Sequence, residues 1–185
     1  GEVLARVLRS NNIAVLTVEQ VTPNAPKNNG VLIFSHRTPL AVTLKRSNTD
    51  SYNLYAEALL KRIAAASTHR SGTFDDGSEA VARSVAQRLA INPASLTPAD
   101  GSGMSRNNKV STKILARWLA SFNTDDPAGM MLLASLATPG TGTLKNRFKN
   151  TTIEGSKVHG KSGYLLGVSS LSGYITFDIR PPLAF

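Results

Sequence analysis

A chain of 185 residues, 41% hydrophobic and 18% charged, carries enough apolar sequence for one packed domain and is neither disordered nor collagen-like. With no cysteine it has no disulfide scaffold, no thiolate metal ligand and no cysteine nucleophile. A net charge of +9 raises nucleic acid, anionic lipid or an acidic polymer as partners. The basic residues are spread along the chain without a run of five, and the aromatics are too scattered for a base-stacking platform, so no nucleic-acid partner is expected. No apolar run approaches the roughly 18 residues of a membrane span.

In chain order, Val3, Leu4, Val7 and Leu8 recur at helical steps and predict an amphipathic helix over 2–10. The β-branched run IAVLTVEQV predicts a strand over 13–21, and VLIF a second over 31–34, with a turn-rich stretch between them. Tyr55, Leu59 and Ile63 lie at four-residue steps and predict a helix over 52–66. Another helix is predicted over 78–91 with Ser78 as its N-cap, then a loop over 92–110. Ser111 caps a predicted helix over 112–121, and Asp126-Pro127 opens a short one toward Leu136.

The last segment alternates Leu171, Gly173, Ile175, Phe177 and Ile179 with Ser172, Tyr174, Thr176 and Asp178. That period of two predicts a strand with one buried face and one more polar face. Strands, then helices, then strands suggest an α+β domain whose terminal strands share a sheet under covering helices. The chain starts in structured pattern without an initiator Met and stops in strand-like sequence, so both ends read as cuts inside a domain.

Three short segments carry candidate chemistry. In Ser51-Tyr52-Asn53, the serine most simply caps the following helix. Alternatively, the hydroxyl and the Asn53 amide, two residues apart, both face a cleft, one relaying a proton and the other binding a carbonyl or orienting a lysine. Lys161-Ser162-Gly163 is either a solvated strand end or a K-[ST]-G triplet. In the second case the ammonium supplies positive potential, the hydroxyl grips a carboxylate, and the glycine admits a substrate backbone. The loop DGSGMSRNN at 100–108 is rich in turn formers. His36, His69 and His159 lack metal-ligand spacing, and no metal or cofactor is expected.

Taken together and in order, SYNLYAEALL, DGSGMSRNN, GTGTLKNRF and HGKSGYLLGVSSLSGYI give the chain a resemblance to the D-alanyl-D-alanine carboxypeptidase/endopeptidase family of low-molecular-mass, class C penicillin-binding proteins. The resemblance covers at least residues 36–185. It implies a penicillin-binding-protein/β-lactamase-like transpeptidase domain with an antiparallel sheet and covering helices, incomplete in this chain. By matching position it makes Ser51 and Asn53 the S-x-N pair and Lys161, Ser162 and Gly163 the K-[ST]-G triplet. It also makes the backbone N–H of Tyr164 an oxyanion-hole donor. Ser162 stands where threonine is usual, and Tyr52 where Asp or Asn is frequent.

The family's nucleophile lies in an S-x-x-K motif, and no serine here has lysine three residues later. The expectation is therefore the C-terminal portion of one transpeptidase-like domain, spanning 1–185 and inactive alone. Its expected partners are the missing N-terminal part, peptidoglycan stem peptides and β-lactams, in a periplasmic or extracellular setting. The competing expectation is a non-catalytic peptidoglycan-binding or structural module that has lost the nucleophile. Smaller readings make Arg106 and Asn107 braces of the site, Trp118 a core residue and His159 a solvent-facing side chain.

Overall fold

The computed structural model describes residues 2–18, 35–148 and 155–185. Two units divide the chain, residues 1–37 and 38–185. The first contains helix α1 (Glu2–Ser10), which matches the predicted span. Asn12 follows it in the left-handed region, φ 59°. Residues 13–18 form no strand, contrary to expectation; the rest of that predicted strand and the one over 31–34 lie outside the described residues.

In the second unit, α2 (Leu40–Asn48), α3 (Asn53–Thr68), α4 (Phe74–Leu89), α5 (Thr112–Ala120) and α6 (Pro127–Ser135) precede three strands. The strands β1 (Ser156–Leu165), β2 (Val168–Phe177) and β3 (Leu183–Ala184) form one antiparallel sheet in the order β1-β2-β3. The α+β class and antiparallel sheet hold. Among the described residues, however, the sheet is built from the C-terminal strands alone rather than shared with N-terminal ones.

Helix α4 starts before its predicted beginning, and its cap is Thr73 rather than Ser78. The Thr73 hydroxyl accepts from Asp76 N at 3.1 Å, and Asp75 and Asp76 complement the positive end of the helix. Ser78 lies inside the helix, its buried hydroxyl without a hydrogen-bond partner. The caps at Ser111 and Asp126 stand as predicted, accepting from Ile114 N at 3.2 Å and Gly129 N at 2.8 Å. The predicted loop over 92–110 carries a 3-10 turn at Pro93–Ser95 and a bridge between Thr97 and Lys109.

Two apolar clusters hold the unit. Val85, Leu89 and Leu96 gather Val81, Ile114 and Trp118 around them. Leu119, Leu136 and Tyr174 join α5, α6 and the sheet. Tyr174 belongs to the strand face expected to be more polar, yet it is only 2% exposed, and its hydroxyl donates to Leu119 O at 2.8 Å. A long amphipathic ring buries its body and satisfies its polar tip, which simple alternation of apolar and polar letters does not register. Ile179, assigned to the buried face, lies past the end of β2 and is 97% exposed.

On the outer side of β1, Ala137 and Gly160 exchange both backbone hydrogen bonds, at 2.8 and 3.1 Å. Leu144, fully buried in the 3-10 turn Gly142–Leu144, packs over Gly160. These contacts fix β1 from the side and leave its second half, Lys161 onward, to line a cleft.

Candidate active site

Ser51 sits in the short link between α2 and α3. Of the two readings of Ser51, the cap does not hold: Tyr52 occupies the N-cap position of α3, with no side-chain cap bond. Ser51 instead adopts a left-handed backbone, φ 59°. The surroundings enforce that conformation. Thr49 Oγ1 donates to Ser135 O at 2.6 Å, Asn48 Nδ2 to Ser135 Oγ at 2.8 Å, and Tyr52 N to Arg46 O at 3.0 Å. An Arg46–Asp50 ion pair of 2.9 Å closes the link from outside. Left-handed backbone at a residue other than glycine persists only where such contacts over-determine it.

Lys161 comes from β1, and its Nζ donates to Ser51 Oγ at 2.9 Å and to the Ser162 carbonyl. The ammonium is half-buried, and burial pushes its pKa below the ordinary 10.5. A desolvated ammonium gives up its proton more readily than a solvated one, and its acceptor here is a hydroxyl that can pass a proton on.

Both residues line a cleft of about 500 Å³, together with Asn53, Ser162, Gly163 and Tyr164. All six residues singled out from sequence thus border one cavity. Consecutive residues of a strand point to opposite faces. That five in a row, Lys161 to Leu165, reach the cleft means that β1 offers it an edge rather than a face. Gly163 also has a packing reason: a Cβ there would fall 2.6 Å from Ser170 Oγ. Tyr164 is 78% exposed at the cleft mouth, and Tyr52 half-exposed beside it.

The far wall is the loop 100–108, of which Gly101 to Met104 line the cleft. Glu57 on α3 accepts from Gly101 N at 2.9 Å and Ser102 N at 3.2 Å. Glu57 lay in the motif SYNLYAEALL without an assigned role; its four-residue spacing from Asn53, which puts both on one helix face, was the available signal. Arg106 ties the loop to the hairpin, its Nη2 donating to Leu166 O at 2.9 Å, and does not itself border the cleft.

His159 is half-buried rather than solvent-facing, with its pKa lowered by burial and by Lys157, and it does not border the cleft. Among the described residues no cluster of His, Cys, Asp or Glu is placed to hold a metal ion. No helix of the described residues is long and apolar enough to cross a membrane. The arrangement offers an ammonium, hydroxyls and a carboxamide converging from separate elements. That set suits an anionic, peptide-like ligand and proton transfer through Ser51.

Comparison with known proteins gives a consistent family. Residues 1–185 match the family described as D-Ala-D-Ala carboxypeptidase 3 (S13). The penicillin-sensitive carboxypeptidase A of Dictyostelium discoideum is 37% identical over 145 residues, which are 74% of this chain and 25% of that protein. The D-alanyl-D-alanine carboxypeptidase of Actinomadura sp. (strain R39) is 37% identical over 131 residues, 68% of this chain and 24% of that protein. In three dimensions, penicillin-binding protein 4 (dacB) from Haemophilus influenzae, crystallised with a β-lactam, superposes with a TM-score of 0.76 and 27% identity. That match covers 99% of this chain and 42% of the other. The chain therefore spans about a quarter of the two curated relatives and about two fifths of the solved one.

Proposed function

Because the chain belongs to the D-Ala-D-Ala carboxypeptidase 3 (S13) family, we propose that it forms the S-x-N and K-S-G side of the active site of a serine-type D-alanyl-D-alanine carboxypeptidase/endopeptidase. It is the C-terminal portion of that enzyme's transpeptidase-like domain, and its partner is the segment carrying S-x-x-K. The substrate is a peptidoglycan stem peptide, so the setting is periplasmic or extracellular.

In this reading the nucleophilic serine comes from S-x-x-K, gives its proton to the lysine of that motif and attacks the carbonyl of the penultimate D-alanine. The bond to the terminal D-alanine breaks and an acyl-enzyme forms, which water then hydrolyses. Ser51 passes a proton to the leaving amine, drawing on the desolvated ammonium of Lys161 beside it. Asn53 holds the peptide carbonyl. Lys161 and Ser162 hold the terminal carboxylate, and Gly163 lets the substrate backbone lie along β1. The backbone N–H of Tyr164 donates to the oxyanion of the tetrahedral intermediate. A β-lactam enters the same cleft and is trapped at the acyl stage.

The observation that carries the reading is the 2.9 Å hydrogen bond from Lys161 to Ser51, in a cleft bordered also by Asn53 and Ser162. The test is labelling with a fluorescent penicillin. A protein joining this chain to an S-x-x-K segment is expected to be labelled, and the purified 185-residue chain is expected to release no D-alanine. Absence of labelling in the folded, joined protein overturns the enzyme reading in favour of a non-catalytic peptidoglycan-binding module.

A further inference from the structure

The loop 100–108 is organised from within and tied at two points. The Asp100 carboxylate accepts from Gly103 N at 2.7 Å, from Ser105 N and from Asn108 Nδ2 at 2.8 Å. Asn108 Oδ1 in turn accepts from Ala99 N at 2.7 Å. A loop cross-linked in this way shifts as a piece rather than bond by bond. One tie is the Glu57 carboxylate on α3, which holds the amides of Gly101 and Ser102. The other is Arg106 on the carbonyl of Leu166, at the turn between β1 and β2.

Each tie lies next to one wall of the cleft. Glu57 is one helical turn beyond Asn53, and Leu166 is two residues beyond Tyr164. Gly101 rests on α3 so closely that a Cβ would fall 2.3 Å from Ala56 O, so backbone lies directly on backbone. The loop is therefore a strap running from the helix that carries Asn53 to the hairpin that carries Lys161.

We propose that Glu57 is a positioning residue: acting through the strap 100–108 and Arg106, it keeps the Ser51–Asn53 wall and the Lys161–Tyr164 wall at the separation that closes on a peptide carboxylate terminus. The substrate named here rests on the function proposed above; the mechanical role does not. A carboxylate accepting two amide hydrogen bonds is a strong anchor, and its removal leaves both amides without that acceptor. The strap then shifts as a unit off α3, the hairpin moves with it, and water reaches Lys161.

The test compares Glu57→Ala, Glu57→Gln, Arg106→Ala and the double alanine variant in the protein that carries this chain. The first readout is the pH dependence of Lys161 acetylation by acetic anhydride, followed by mass spectrometry. Glu57→Ala and Arg106→Ala should each move the Lys161 titration up toward 10.5. The double variant should move it no further, because both residues act on one strap. Glu57→Gln, which keeps an amide oxygen as acceptor, should fall between wild type and Glu57→Ala. An unchanged Lys161 titration in Glu57→Ala, or additive shifts in the double variant, overturns the proposal.

The second readout is affinity for a D-alanyl-D-alanine-terminated tripeptide, expected to weaken about fivefold in Glu57→Ala with partial rescue in Glu57→Gln. Equal affinity in wild type and Glu57→Ala also overturns it. A wild type that binds no such peptide removes the substrate reading, and the Lys161 titration then decides the strap by itself.

Discussion

Lys161 Nζ and Ser51 Oγ meet at 2.9 Å although 110 positions separate the two residues in the chain. The lysine is held from the outer side of β1 by the Ala137–Gly160 bonds. The serine is held by the contacts of Thr49 and Asn48 with Ser135. Each partner of that hydrogen bond is thus tied to a different element, the lysine to β1 and the serine to the end of α6.

This placement separates stability from function at position 51. Ser51 carries a left-handed φ of 59°, a conformation that costs a residue with a side chain about 1–3 kcal/mol and glycine very little. Ser51→Gly relieves that strain while giving the unfolded chain more freedom, so thermal stability should stay within about 1 kcal/mol of wild type. Penicillin acylation of the joined protein should fall at least about 100-fold, because the hydroxyl is gone. Differential scanning calorimetry and labelling rates check the two halves. Labelling within tenfold of wild type would falsify the role given to Ser51.

Burial lowers the pKa of Lys161 below 10.5 in the folded state, and the unfolded chain keeps the ordinary value. Between the two values the unfolded state binds more protons, so stability rises with pH across that window. Below the folded pKa the penalty for the buried charge is fully present. Lys161→Met should therefore be more stable than wild type at neutral pH, and the gap should narrow as pH climbs toward 10.5. Urea midpoints measured across that range supply the check. A gap that widens toward alkaline pH contradicts the burial argument.

Two hydroxyls five residues apart, one at the N-cap of α4 and one inside it, should respond with opposite signs. Thr73 caps the helix by accepting from Asp76 N at 3.1 Å, and Thr73→Ala should cost about 1 kcal/mol. The buried Ser78 hydroxyl has no partner, and Ser78→Ala should be neutral or stabilising by up to about 1 kcal/mol. Chemical denaturation of the pair decides which residue starts the helix.

Tyr174 ties the sheet to α5 through its hydroxyl, 2.8 Å from Leu119 O. Tyr174→Phe keeps the ring and leaves that carbonyl without this donor, which should cost about 1–2 kcal/mol. Peptide affinity should be nearly unchanged, because Tyr174 does not border the cleft. A variant that unfolds like wild type in urea would show that the bond contributes nothing.

Helix α3, the caps at Ser111 and Asp126, and the strand around Leu171–Phe177 were legible from sequence because each rests on local chemistry: apolar spacing, a side-chain oxygen before a helix, alternation. The cleft was legible in outline from the S-x-N and K-S-G segments. What escaped depends on contacts distant in sequence. Helix α2 buries only Ser47 among its residues, and apolar periodicity gives it little signal. The cap alternative for Ser51 is local chemistry, whereas its left-handed backbone depends on contacts with Ser135, 84 positions later. The bonds of Glu57 to the loop 100–108 join residues 44 and 45 positions apart, a contact that local spacing does not reveal. The strand predicted at 13–21 rested on β-branched residues alone, and local preference without a partner does not make a strand over 13–18.

Strand β1 pairs with β2 residue for residue, from Ser156 opposite Phe177 to Leu165 opposite Val168, and the hairpin tip consists of Leu166 and Gly167. Parity is therefore part of this site. Deleting a single residue between 161 and 165 while the Leu165–Val168 pair at the tip is kept shifts Lys161 by one register position and sends the ammonium to the other side of the sheet. A change of length that spares the site belongs at the tip, where Gly167 at φ 80° already takes a conformation that branched residues avoid.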